Sequence, residues 1–203
     1  MNDNEKISKI KSWLGTGSVN IFGIQFSGKD TVGKRLSSAL GAEFISSGDI
    51  LRTAGEADQK TGMLSPQKAF FDIVLPYLAK PDFANKPLVL STVGRWLGEE
   101  QPVMKTLHQA GHETKVVILL KISEDEIWRR YAVARDTRND GREDDVNEDK
   151  VRTRLEWYHD KTLPVIEVYR QMGLLVEVNG EQSRDEVYAE VIKKLVNRAS
   201  TSR

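Results

Sequence analysis

Residues 23–31 read GIQFSGKDT. Two glycines five positions apart, Gly23 and Gly28, with Lys29 next, have the types and spacing that suit an oligophosphate. Glycine lets the chain turn so that successive N–H groups face one centre. A helix beginning at the end of the loop adds partial positive charge, and the lysine adds a full one. The common pattern places Ser or Thr directly after Gly-Lys, whereas here Asp30 intervenes and Thr31 follows. A triphosphate is the natural guest. The plain alternative is a glycine-containing turn with a solvated lysine, and the flanking elements favour the first.

Those flanks are the apolar run VNIF before the loop and TVGKRLSSAL after it, where Val32, Leu36 and Leu40 share one helix face. From residue 19 onward, short runs rich in β-branched residues alternate with longer amphipathic stretches, as in a parallel sheet covered by helices. The candidate strands are VNIFG, AEFIS, PLVLS, KVVILLK and LLVEV. SEDEIWRRYAVA and VNEDKVRTRLEWYHDKTLPVIEVYRQM read as helices; Ser123 with Glu126 suggests a capping box, and Pro164 a kink or the first turn after a break. The expected fold is a three-layer α/β domain on a five-stranded parallel sheet, with ligands bound beyond the carboxyl ends of its strands. In residues 1–18, Ile7, Ile10, Trp13 and Leu14 recur at helical spacing until Gly15 and Gly17 break it, so an amphipathic helix packed on the domain is expected there.

With 203 residues, 39% of them hydrophobic, the chain can bury one full core, and a single domain over 19–203 is the default. Thirty basic and thirty acidic residues cancel, which leaves no overall field for nucleic acid or an anionic membrane, so an anion site has to be local. Cysteine is absent, which excludes disulfides and thiolate-bound zinc. The first 18 residues lack a signal-peptide apolar stretch and no segment approaches the ~20 apolar residues of a span, so a cytoplasmic protein is the simplest reading. His108, His112 and His159 do not cluster in sequence, which supports neither a metal site nor a histidine base.

After the loop come FISSGDILR, TGMLSP, an apolar run ending in VGR, and GREDDVNEDKVRTRLEWYHDKTLPVIEVY. In order and spacing this resembles the adenylate kinase family of nucleoside monophosphate kinases from about residue 19 to the end, most specifically in its Arg-x-Asp-Asp, Arg-Leu-x-x-Tyr and Thr-x-Pro words. The resemblance implies a P-loop NTPase-type fold with a small helical insert over the monophosphate (about 47–79). It also implies a short lid over the triphosphate (about 134–142) without zinc. Its partners would be ATP with Mg2+ and a nucleoside monophosphate, AMP leading, and the protein a monomer. By the same resemblance Gly23, Ser27, Gly28, Lys29, Asp30, Thr31 and Val32, with Arg130 and Arg135, would bind ATP. Ser47, Arg52, Gly62, Leu64, Arg95 and Glu99 would bind the acceptor. Lys29, Arg95, Arg142 and Arg154 would serve the transfer, Asp144 and Asp145 would hold the lid, and Thr31 and Asp49 would stand near the metal.

The chain departs from that family in three places. Phe26 and Asp30 replace glycines of the loop, although Thr31 keeps its position. The third strand ends STVGR where the family has Asp-Gly-Phe-Pro-Arg, so Ser91 replaces a carboxylate near the metal and Asp30 is a candidate to supply the missing charge. Glu99 stands where the adenylate kinases read adenine with Gln, and a carboxylate accepts only, as guanine's donor edge would favour. Two alternatives therefore stay open: another acceptor (GMP, CMP, UMP or a small metabolite), or a nucleotide-binding protein with little turnover.

Overall fold

The computed structural model describes residues 1–55, 67–137 and 147–201. Five parallel strands, β1 (Ser18–Gly23), β2 (Glu43–Ser46), β3 (Leu88–Ser91), β4 (Thr114–Lys121) and β5 (Leu175–Asn179), lie in the order β2-β3-β1-β4-β5. They fall on the five apolar runs read from the sequence, so the α/β class and the five-stranded parallel sheet hold. Ser18 of β1 pairs with Leu88 and Ile21 with Ser91, which brings the carboxyl ends of β1 and β3 side by side.

Alternation along the strands divides the core. On one face Val19 and Ile21, Val89, and Val116, Ile118 and Leu120 pack under α1 (Asp3–Leu14), α2 (Lys29–Leu40) and α10 (Arg184–Thr201). On the other, Phe22, Val117 and Leu119 meet Val165, Ile166 and Tyr169 of α9 (Leu163–Gln171). Leu88 and Leu90 meet Val103 and Leu107 of α6 (Glu100–Gln109). The N-terminal helix is therefore part of the core: Ile10 and Leu14 are fully buried, and Lys9 Nζ donates to Ser200 Oγ at 2.6 Å.

The segment that the resemblance assigns to an insert begins with α3 (Ser47–Thr53) and, after residues outside the description, continues as α4 (Gln67–Ala69), a π turn (Phe70–Val74) and α5 (Leu75–Tyr77). Leu51, Phe70, Val74 and Leu78 bury against β3 and α6. The long C-terminal helical stretch breaks into α8 (Glu148–Trp157), a π turn (Tyr158–Thr162) and α9, whose first turn contains Pro164, the residue whose missing N–H forbids a continuous helix. The capping box expected at α7 (Glu124–Thr137) is half formed. Ser123 Oγ accepts from Glu126 N at 3.3 Å, but Ser123 N donates to Glu181, because the Glu126 carboxylate is taken by Arg129 and Arg130.

Candidate active site

The loop between β1 and α2 runs straight into a helix N-terminus. Gly28 has φ 84° and opens α2 without a side-chain cap, and Lys29 and Asp30 form that helix's first turn. A Cβ on Gly23 would collide with Ser27 Oγ. The Ser27 hydroxyl is buried and has no hydrogen-bond partner among the described residues. Such an orphaned hydroxyl beside the N-terminus of α2 suits an incoming anion. Val32 points away from this centre into the core.

Phe26 replaces a glycine yet keeps φ 65°, a region costly for a side chain with a Cβ. Its ring meets Tyr131 edge-on at 6.3 Å and packs on the cluster of Ile24, Ile127, Val151 and Leu155, which joins α7 and α8 to the loop. Its carbonyl accepts from Arg130 Nη1 at 2.9 Å. Arg130 Nη2 donates to Gly180 O at 2.7 Å and Nε to Glu126 Oε1 at 2.6 Å. This guanidinium braces the loop from outside. Glu126, shared with Arg129 first and then Arg130, has its pKa held down to about 2. Arg135 is exposed and paired with the neighbouring Asp136 at 3.1 Å.

The loop after β3 is held from inside. Asn20, a polar residue in an apolar strand, donates to Val93 O at 2.8 Å and accepts from Val93 N at 3.2 Å. Thr92 N donates to Ile21 O at 2.9 Å, and Ser47 Oγ donates to Thr92 O at 2.8 Å. Thr92 has φ 49°, unusual for a β-branched residue, and it too stands at a glycine position of the family pattern. Glu99 Oε2 accepts from Arg95 N at 2.7 Å and Trp96 N at 3.1 Å, and Glu100 Oε2 accepts from Gly98 N at 2.8 Å. Burial pushes the Glu99 carboxyl above the usual range despite those two donors and Arg95, and its Oε1 has no partner among the described residues. Ser47 braces the backbone of this loop through Thr92 O.

Arg95 stands where the two loops meet. Burial lowers its guanidinium pKa, Asp30 and Glu99 oppose that, and Arg52 of α3 lowers it further. Arg52 thus approaches from a separate element closely enough for its charge to disfavour that of Arg95, an arrangement that an anion between them would relieve. Ser91 Oγ donates to Asp30 Oδ1 at 2.5 Å across the β1–β3 junction. Asp49, expected near a metal, is paired with Arg52 on its own helix. Trp96, beside Arg95, packs edge-on against Trp157 of α8 at 5.2 Å with Lys161 Nζ 5.6 Å from its ring, linking this loop to the helix that carries the half-buried Arg154. Gly62, Leu64, Arg142, Asp144 and Asp145 lie outside the described residues.

The structure therefore brings Ser27, Gly28, Lys29, Asp30, Arg95 and Arg52 to adjoining strand ends and assigns Arg130, Ser47 and Glu99 contacts within the protein. Sequence reasoning missed Asn20, Thr92, Glu100 and Tyr131 as parts of the site's frame. The signals were faint: one amide inside VNIFG, and a threonine where the pattern has glycine.

A family model described as Adenylate kinase matches residues 21–174. Among curated proteins, an adenylate kinase of Thermus thermophilus is 32% identical over 81% of this chain and 89% of its own length. One from Leifsonia xyli is 34% identical over 88% and 92%. One from Phocaeicola vulgatus is 28% identical over 86% and 96%.

Proposed function

The chain belongs to the adenylate kinase family and is a phosphotransferase acting on nucleoside monophosphates; from that premise we propose that it moves the γ-phosphoryl group of Mg2+-bound ATP to AMP. The observation that carries this reading is the convergence of Arg95 and Arg52 beside the loop that ends in Lys29. Phosphoryl transfer crowds anions together, so its catalysis is positioning and charge neutralisation, which these residue types supply.

In this reading Gly23, Ser27, Gly28 and Lys29 hold the triphosphate, with Lys29 on its outer oxygens. Arg52 and Arg95 hold the acceptor's phosphate, and Arg154 and Arg142 join the set on the family pattern alone. An oxygen of the acceptor phosphate attacks the γ-phosphorus, the bond to the β–γ bridging oxygen breaks, and its electron pair leaves with ADP. No protein nucleophile takes part. Magnesium, when bound, spreads the charge of the phosphate oxygens, and hard oxygen donors suit it; Thr31 and Asp30, in the first turn of α2, provide a hydroxyl and a carboxylate there. Glu99 acts by positioning Arg95, since one of its oxygens is committed to the backbone of that loop. The adenine edge is then read by other groups, which is why AMP remains the leading acceptor despite the Gln-to-Glu change. We also assign Asp144 and Asp145 to holding the short lid, and Gly62 and Leu64 to the acceptor base, on the family pattern alone.

The test is ADP formation from ATP and Mg2+ with AMP, GMP, CMP, UMP and dTMP in turn, and Lys29→Ala as control. AMP is expected to be used best, with a loss of roughly 100- to 1000-fold in the control. Preference for GMP would instead make Glu99 a base reader, and binding of ATP without turnover would leave a nucleotide-binding protein.

A further inference from the structure

Among the described residues, Asp49, Glu99, Glu100 and Asp30 are carboxylates beside the two loops. Asp49 is paired with Arg52, Glu99 caps Arg95 and Trp96, and Glu100 caps Gly98. The fourth, Asp30, occupies the first turn of α2 between Lys29 and Thr31, where an unbridged negative charge would repel a triphosphate. It is nevertheless held there: Ser91 at the end of β3 donates to its Oδ1 at 2.5 Å, and Arg95 feels its charge from the acceptor side. A carboxylate kept beside an anion site is most simply accounted for by a cation that bridges the two. Magnesium bound to nucleotide retains several waters and takes only one or two protein carboxylates, so one fixed Asp suffices.

We propose that Asp30, oriented by Ser91, is the carboxylate that anchors magnesium, directly or through its water, on the bound triphosphate. The charge that the end of β3 lacks is thus supplied from α2 across the strand junction. This rests on the kinase reading above. Because the Ser91 hydroxyl already touches Asp30, an Asp at 91 would project its carboxylate to nearly the same place, and the two positions should be exchangeable.

The experiment measures ATP affinity by calorimetry, with excess Mg2+ and with EDTA, for the wild type, Asp30→Asn, Ser91→Ala and the reciprocal exchange D30S/S91D. The wild type should bind ATP more tightly with magnesium. Asp30→Asn should lose that gain by roughly 10- to 100-fold, the usual effect of removing a group that supports a metal, while binding metal-free ATP at least as well as before. Ser91→Ala should lose part of the gain, and D30S/S91D should recover it. A full magnesium gain in Asp30→Asn would overturn the proposal, as would equal weakening with and without metal, which would mark Asp30 as structural. A wild type that binds ATP in neither condition would overturn the kinase reading itself and the proposal with it.

Discussion

The loop after β1 and the loop after β3 meet at one junction, and each keeps a side chain in backbone space that suits glycine, Phe26 at φ 65° and Thr92 at φ 49°. They offset that cost differently. The first is supported from outside, by the Tyr131 ring and by the chain from Glu126 through Arg130 to Phe26 O. The second is supported from within, by Asn20 on Val93, Ser47 on Thr92 and Glu99 on Arg95. Apolar packing tolerates small adjustments, whereas buried hydrogen bonds fix a geometry closely. The rigid solution holds Arg95, whose guanidinium has to meet a small phosphate in the reaction we propose. The more adaptable one surrounds Lys29, whose point charge tolerates displacement.

The largest stability effect should come from breaking the internal brace. Asn20→Ala leaves the Val93 N–H and C=O buried without partners and should cost roughly 2–4 kcal/mol in chemical denaturation. Glu99→Ala should cost about 1–3 kcal/mol and, by freeing the Arg95 loop, raise KM for the acceptor more than KM for ATP. Equal effects on both substrates would contradict the division between the loops.

Glycine substitutions sharpen the contrast. Thr92→Gly removes an unfavourable conformation and one weak hydroxyl contact at 3.4 Å, so it should stabilise by about 0.5–1 kcal/mol. Phe26→Gly also relieves its backbone but gives up the edge-on contact with Tyr131, so it should destabilise by about 1 kcal/mol. The same sign for both would show that the supports are alike.

Acid and base responses give the smallest and most diagnostic difference. Glu126 has a depressed folded pKa, about 2, so its contribution is present above the ordinary glutamate range and lost as pH falls through about 2. Glu99 has a raised one, so its contribution is complete below that range and lost as pH rises through the folded value. Stability profiles of Glu126→Gln and Glu99→Gln should diverge from the wild type in opposite directions, the former by roughly 1 kcal/mol because its pair is near the surface.

The strands and the glycine loop were legible because period-2 burial and a Gly-x-x-x-x-Gly-Lys spacing are local. The π turn before α9 was half legible through Pro164. The frame of the site was not, since Ser91–Asp30, Asn20–Val93 and Arg130–Phe26 join residues 61, 73 and 104 positions apart. The family resemblance set Arg130 and Ser47 beside ligand; the contacts that their donors make within the protein, to Phe26, Gly180, Glu126 and Thr92, are visible only in the fold.

The most direct test of the two-loop site follows the phosphorus itself. In a single turnover of γ-labelled ATP with AMP and Mg2+, label should appear at the β position of ADP, and Lys29→Ala and Arg95→Ala should each suppress it. Label appearing only in inorganic phosphate, or unchanged rates in either variant, would contradict transfer between two phosphates held by these loops.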